Sequence, residues 1–319
     1  MTTRELTLRA ATPEDQTDVL DLVGSVMGWG SDDAAARMWR WKHVDNPAGP
    51  SPTWVAEDDG RVVGVRVFLR WCFDSDDGPR IAVRAVDTVT HPDYRGRGLF
   101  RRLTLLALDD LAAEGVDFVF NTPNDQSRPG YLSMGWQPVS KLPVRVHAVG
   151  VTGAFAMARN RVPSELESLP TDIGVPAGDG LDDDAVAALE SAPGTGLRTR
   201  RSAGYLRWRY SGHPELRYRV VRLSTDPAEG IAVVRMRRRG TAVEATVAEL
   251  AVPDRRAARR LVSTLARRAG ASYALALPGG AGCGVVVPRL GPLLVARQIS
   301  TEPPPAPEWR LSLGDVELF

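Results

Sequence analysis

Cysteine is nearly absent: of 319 residues only Cys72 and Cys283 carry a thiol, far apart and without a C-x-x-C pair. That excludes a disulfide framework and a cysteine-based zinc site, and both residues read as small buried hydrophobes. Lysine is as scarce, with Lys42 and Lys141 alone among 40 basic residues, and 39 acidic residues leave a formal charge of only +1. Without a basic excess there is no field to hold a nucleic-acid backbone or an anionic membrane. No run approaches the ~18 apolar residues of a membrane span. Met1 to Gln16 is charged and polar, where a signal peptide would carry its apolar core. These absences give the expectation of a cytoplasmic protein with no nucleic-acid and no membrane partner. G-x-S-x-G, H-E-x-x-H and an EF-hand loop are absent too. Serine hydrolase and metalloprotease chemistry therefore have no residues to rest on, and no metal is expected.

The composition present, 43% hydrophobic and 25% charged, is that of a globular chain long enough for two domains, and the order of its elements gives an α/β class. Leu6 to Arg9 reads as a strand, and Thr12-Pro13-Glu14-Asp15 as the capped start of a helix running to about Met27. A second amphipathic stretch, Asp32 to Val44, ends before Asn46-Pro47-Ala48-Gly49-Pro50. Two β-rich runs, Thr53 to Glu57 and Val62 to Phe73, flank Asp58-Asp59-Gly60, a hairpin signal. Ile81 to Thr90 is a further strand. A glycine-bearing turn, a helix from Leu99 to about Glu114 and the buried strand Val116 to Phe120 follow.

The second half repeats this order. Trp41-Lys42-His43 precedes Pro47 as Trp208-Arg209-Tyr210 precedes Pro214. Val89-Thr90-His91-Pro92-Asp93 answers Ala251-Val252-Pro253-Asp254, and Glu114-Gly115-Val116 answers Ala269-Gly270-Ala271. Three pairs in one order indicate a degenerate tandem repeat, each copy a mixed central sheet flanked by helices. The expected division is a first domain over 1–155, a linker over 156–175 rich in Pro, Gly and Ser, and a second domain over 176–319.

Chemistry concentrates in His91-Pro92-Asp93-Tyr94-Arg95-Gly96-Arg97-Gly98-Leu99-Phe100, between a strand and an amphipathic helix. Glycines there let backbone N–H groups converge at a helix N-terminus, whose dipole favours an anion, and Arg95 and Arg97 add charge. The spacing is neither that of a Walker loop nor the dinucleotide G-x-G-x-x-G.

Arg95-Gly96-Arg97-Gly98-Leu99-Phe100 resembles the R/Q-x-x-G-x-G/A motif of the GNAT N-acetyltransferase superfamily, with Phe100 where Gly or Ala is usual. A second family element, Asn then Tyr then Gly-Phe, is matched by Asn124, Tyr131, Gly135 and Trp136. The resemblance covers about Asp87 to Trp136. It implies an acyl-CoA-dependent transferase with acetyl-CoA as donor and a small-molecule primary amine as acceptor. Its pyrophosphate would lie on the amides of Arg95, Gly96, Arg97, Gly98, Leu99 and Phe100. Its pantetheine would lie along Val89 and Thr90, in a gap beside the strand ending at Asn121, with Asn124 also at the cofactor site. The family's general acid corresponds to Tyr131.

Pro129-Gly130 directly before Tyr131 departs from the family and predicts a short helix starting near Ser127 or Arg128. Asp87, on the strand before the loop, is the candidate base, directly or through water, with an ion pair to a residue such as Arg84 as the alternative. Trp29, Trp39 and Trp41 belong to the helix pair that walls the family's acceptor site, or to the core. Asp74, Asp76 and Asp77 form an acidic loop facing either a cationic amine or solvent. In the second half Arg255-Arg256-Ala257-Ala258-Arg259-Arg260 holds no glycine, so that copy is expected not to bind CoA. Two other functions remain open at this stage: a CoA-binding regulatory or scaffolding module without catalysis, and aminoacyl transfer of the duplicated-fold cell-wall type. The acceptor, the acyl length and the oligomeric state are not legible.

Overall fold

The computed structural model describes residues 6–28, 33–160, 162–192, 194–277, 283–287 and 290–317. Trp29 lies outside them. The chain forms two compact units. The first contains β1 (Thr7–Ala10), α1 (Gln16–Met27), α2 (Asp33–Trp39), β2 (Thr53–Asp58), β3 (Arg61–Ser75), β4 (Gly78–Thr90), α3 (Leu99–Ala113), β5 (Phe118–Asn121), α4 (Arg128–Ser133) and β6 (Gln137–Lys141), with β3 running past its edge after Cys72, β4 entering it at Pro79 and β6 leaving it after Ser140. The β2–β3 turn has Asp59 at φ 53° and Gly60 at φ 78°, the paired positive values a tight hairpin requires. α2 continues as a wider π-helical turn over Arg40–Val44, and the proline-rich segment then stops it.

The first sheet has the order β1, β2, β3, β4, β5, then the strand Leu293–Gln298, then β6. Only β4 and β5 run parallel among its registered pairs, matched over Ala82–Phe118, Val83–Val119 and Arg84–Phe120. β5 ends at Asn121 while β4 runs on to Thr90, so the two strands part beyond Arg84. One face of the sheet packs Val55, Val65, Val67 and Val89 against Val19, Leu22 and Val23 of α1 and against Trp39. The other packs Trp54, Phe68 and Val83 against Leu99, Leu103 and Leu111 of α3 and Tyr131 of α4.

The second unit repeats the plan with less regular edges. Its sheet runs Val285–Val286, β7 (Arg145–Ala148), Tyr273–Ala276, Ala242–Ala251, Ile231–Arg239, Arg219–Arg222 and Val175–Pro176. Ala242–Ala251 and Tyr273–Ala276 pair in parallel, joined through the helix Arg255–Arg268, as β4 and β5 are joined through α3. A π-helical turn over Arg207–Ser211 matches Arg40–Val44.

Strands are exchanged along the chain. Leu293–Gln298 pairs antiparallel with β5 from Val295–Asn121 to Gln298–Phe118, so a late segment completes the first sheet. β7, early in the chain, pairs with Tyr273–Ala276 in the second sheet. A fragment of residues 1–155 leaves one edge of β5 without its partner, and an open apolar edge invites intermolecular pairing. Such a fragment is expected to aggregate or to lack a cooperative melt under conditions where the whole chain melts cooperatively. A monomeric fragment with a sharp transition would contradict this.

Candidate functional site

α3 begins without a side-chain cap. Its N-cap residue, Gly98, sits at φ 70°, and Gly96 lies at φ 76°. A Cβ built on either glycine meets no protein atom within 4 Å. The positive φ and the open space leave the first-turn N–H groups facing outward, with no side chain between them and a ligand. Arg95 and Arg97 are exposed on the same loop. Arg97 stacks over Tyr94 at 4.6 Å, and the Tyr94 hydroxyl donates to Asp58 at 2.6 Å, so the loop is braced against the β2–β3 turn. Leu99 is buried under the helix start, and Phe100 is partly exposed on the turn above it.

The matching helix in the second unit is closed. There Asp254 is the N-cap and its carboxylate accepts from the Ala257 N–H at 2.7 Å, placing the protein's own anion at the helix start. Arg255, Arg256, Arg259 and Arg260 are exposed. The contrast separates a helix start that is satisfied internally from one left open.

Two buried polar side chains of the first sheet carry atoms without a hydrogen-bond partner. Asn121, buried at the end of β5, has an unpaired side-chain oxygen. Arg66 on β3, fully buried, has unpaired Nε and Nη2. An unpaired buried acceptor beside an open strand edge suits the amide donors of a pantetheine arm. Thr90 is half-buried at the end of β4, and Val89 is buried against the α1 face. Asn124 is exposed and accepts from both N–H and Oγ of Ser127 at 2.9 Å, which shapes the turn into α4.

α4 starts at Arg128, with Pro129 in its first turn, as the sequence predicts. Tyr131 is buried between Phe100, edge-on at 5.3 Å, and Trp136 at 5.2 Å. Its hydroxyl is held by a side chain: it accepts from Arg66 Nη1 at 3.1 Å. The same Nη1 donates to Thr88 Oγ1 on β4.

Asp87 is placed differently from the expectation of a free base. Its Oδ2 accepts from Lys42 Nζ at 2.7 Å and meets His43 Nε2 at 2.8 Å, with all three side chains buried. Burial alone would push the carboxyl up, but the Lys42 charge and the His43 hydrogen bond outweigh it and hold it below the ordinary carboxylate range. A carboxylate already shared by two donors and shifted down is a weak proton acceptor. Burial lowers Lys42 as well, countered by the Asp87 charge beside it, and lowers His43, favouring the neutral ring. With Nε2 donating to Asp87, His43 Nδ1 is left to accept from Ser51 Oγ at 3.0 Å. These contacts belong to the α1/α2 face and those of Tyr131 to the α3/α4 face, so the structure does not bring the two candidate catalytic residues together. Asp87 also has φ 34°, a strained value for a residue with a Cβ. Sequence reasoning missed Lys42 and His43 as its partners and Arg66 altogether.

Trp39 and Trp41 are buried, the Trp39 ring meeting that of His43 at 4.3 Å and tilted by 55°, and both serve the core. In the acidic loop Asp74 pairs with Arg200 at 2.9 Å, and Asp76 accepts from the Gly196 N–H at 3.0 Å.

The buried cluster makes stability depend on pH in two stages. His43 is held below its ordinary 6.5, so the unfolded chain binds a proton that the folded chain refuses as pH falls below about 6.5, and stability declines there. Asp87 is held below 3.8, so its contribution is complete above about pH 4 and is lost as pH falls further, through the folded value. Asp87→Asn leaves Lys42 buried without its counter-charge and is expected to destabilise the protein by about 3–5 kcal/mol at pH 7. The low-pH stage should shrink by the share of Asp87, leaving the part supplied by Asp15 and Glu244, whose carboxyls are also held low by arginine partners. Urea titrations between pH 3 and 8 measure both, and an unchanged acid limb in the variant would overturn the assignment.

Comparison with known proteins agrees with the fold. Residues 7–139 match the family model described as an acetyltransferase (GNAT) domain. No curated protein matches the chain by sequence. Among solved structures, a conserved protein of Enterococcus faecalis superposes with a TM-score of 0.64 at 14% identity, over 93% of this chain and 73% of its own. A GCN5-related N-acetyltransferase of Kribbella flavida gives 0.62 at 16% identity, over 93% and 71%. One of Anabaena variabilis gives 0.61 at 11%, over 92% and 73%. At these identities the structures speak for the fold. Residues 7–139 thus match the GNAT acetyltransferase family model, and the chain folds as two GNAT-like mixed sheets flanked by helices.

Proposed function

We propose that the chain is an acyl-CoA-dependent N-acyltransferase working in the first unit, with acetyl-CoA as donor and a primary amine on a small molecule as acceptor. The observation that carries this reading is the uncapped start of α3, opened by Gly96 and Gly98, in the same unit as a buried tyrosine hydroxyl held by Arg66. GNAT proteins bind acyl-CoA, and the residues fit it. The α3 amides with Arg95 and Arg97 would take the pyrophosphate, and the edge of β4 at Val89 and Thr90 with the Asn121 oxygen would take the pantetheine amides.

Both substrates are held together, and the amine nitrogen attacks the thioester carbonyl carbon. A C–N bond forms and the C–S bond breaks, with no covalent bond to the protein. Tyr131 donates its hydroxyl proton to the departing sulfur. The proton lost by the amine leaves through water, because Asp87 is committed to Lys42 and His43. The second unit, its helix start closed by Asp254, takes no part in donor binding. No described helix is long and apolar enough to cross a membrane, and the chemistry calls for no nucleic acid or metal.

Thiol release from acetyl-CoA across a panel of amines tests the activity. A protein that binds acetyl-CoA but releases none would be a binding module. Tyr131→Phe keeps the ring between Phe100 and Trp136 and is expected to lower kcat by about 10²–10⁴ with acetyl-CoA affinity little changed. A kcat within threefold of wild type, with an unchanged melting temperature, would remove Tyr131 as the acid. Gly98→Val puts a branched side chain at φ 70° into the open space over the α3 amides. Acetyl-CoA affinity measured by calorimetry should fall more than tenfold, more than about 1.4 kcal/mol. Unchanged affinity in a folded variant would contradict the cradle.

A further inference from the structure

Arg66 has no solvent exposure, and no carboxylate pairs with it among the described residues. Phe68 lies 4.2 Å from its guanidinium carbon, Tyr131 5.5 Å and Phe100 5.6 Å, so aromatic rings surround it. Nη1 is used by Tyr131 and Thr88. The remaining donors, Nε–H and Nη2–H, are unpaired. They are the two parallel donors on the side-on edge of the guanidinium, the edge that holds both oxygens of a carboxylate at once. Burying a cation with that edge empty is costly, which a structural role would have to repay.

The scaffold does not ask for a cation there. Tyr210 donates to Glu249 at 2.6 Å in the second unit, as the first unit's π-helical turn meets Asp87. Leu250 follows Glu249 as Thr88 follows Asp87. The residue paired with Leu250 is Ala232, fully buried and apolar. The same plan therefore closes without an arginine. The carboxylate nearest along β4, Asp87, is taken by Lys42 and His43.

We propose that Arg66 is a recognition site for a carboxylate carried by one of the two substrates, gripped through Nε and Nη2 beside Tyr131. This rests on the acyl-transfer reading and narrows its substrate class. The carboxylate belongs either to the acyl group, as in a dicarboxylic acyl-CoA, or to the amine, as in an amino acid. An acetyl group and a simple amine leave the fork empty.

The experiment uses the full chain and matched pairs, with binding read by calorimetry and transfer by thiol release. Succinyl-CoA against butyryl-CoA tests the donor, and a panel of amino acids against their decarboxylated amines tests the acceptor. In one arm the wild type is expected to favour the carboxylate member by at least about a hundredfold, since a site built to hydrogen-bond a group rejects the analogue lacking it. Arg66→Met should bring that ratio to within about threefold of one, and Arg66→Lys, which keeps charge without the fork, should leave it in between. A wild-type ratio near one in both arms overturns the proposal. So does a ratio unchanged in an Arg66→Met protein that melts like wild type; if that variant does not fold, Arg66→Lys decides by the same criterion. A wild type that transfers nothing ends the acyl-transfer reading, while the binding ratios still judge Arg66.

Discussion

The buried contact between Asp87 and the Lys42–His43 pair is the constraint on which the first unit's site depends. It ties the π-helical end of α2 to β4 at the residue where the strand carries a positive φ, next to the point where β4 departs from β5. A residue with a Cβ held at φ 34° persists only where its surroundings over-determine it. Two short contacts to one buried oxygen do that. The distortion falls before Thr88, Val89 and Thr90, the segment whose edge lies beyond the β5 ladder. The acid's contacts are therefore spent on holding the bent backbone of that segment.

The second unit is an internal control for this reading. It keeps the π-helical turn, a buried acid on the matching strand, the parallel strand pair and the connecting helix. In place of the open glycine turn it has Asp254, and opposite Leu250 it has Ala232. What recurs in both units is what the fold requires: a buried carboxylate anchoring the turn after a W-[KR] pair. What occurs in the first unit alone, the open helix start, the Arg66 fork and the Tyr131 hydroxyl, has to be explained by something other than folding.

Local features of the chain were legible because each follows from one residue's own backbone or period. Asp59-Gly60 marks its hairpin, Pro129 marks the start of α4, and Gly96 and Gly98 mark a turn that only residues tolerant of positive φ make easily. Partnership was not legible. Arg66 and Arg70 both stand in the run Val62–Phe73 and, four residues apart, share one face of the strand, so neither alternation nor spacing says that Arg66 is buried while Arg70 is half-buried. Asp87 suggested a base because Lys42 and His43 stand more than forty residues earlier, in a different element, with nothing in spacing to join them. The exchange of Leu293–Gln298 into the first sheet was hidden for the same reason: a short apolar strand specifies its alternation of faces, and its pairing partner is chosen in three dimensions.

The two departures from the family motif turn out to be one. Phe100 stands where Gly or Ala is usual, and Pro129-Gly130 stands where a helix would ordinarily be under way. A Cβ on residue 130 would lie 2.8 Å from Phe100 Cε1, so the ring of Phe100 occupies the space that Gly130 leaves. Gly130 would weaken a helix this short, and Pro129 offsets that by presetting φ in the first turn, where its missing N–H costs nothing. The ring so placed meets Tyr131 edge-on at 5.3 Å and lies 5.6 Å from the Arg66 guanidinium. Phe100, Pro129 and Gly130 are therefore matched parts of one packing arrangement, and its product is a tyrosine hydroxyl fixed on an arginine. Decay of a motif would leave its departures uncorrelated; these are complementary in volume and converge on the same side chain.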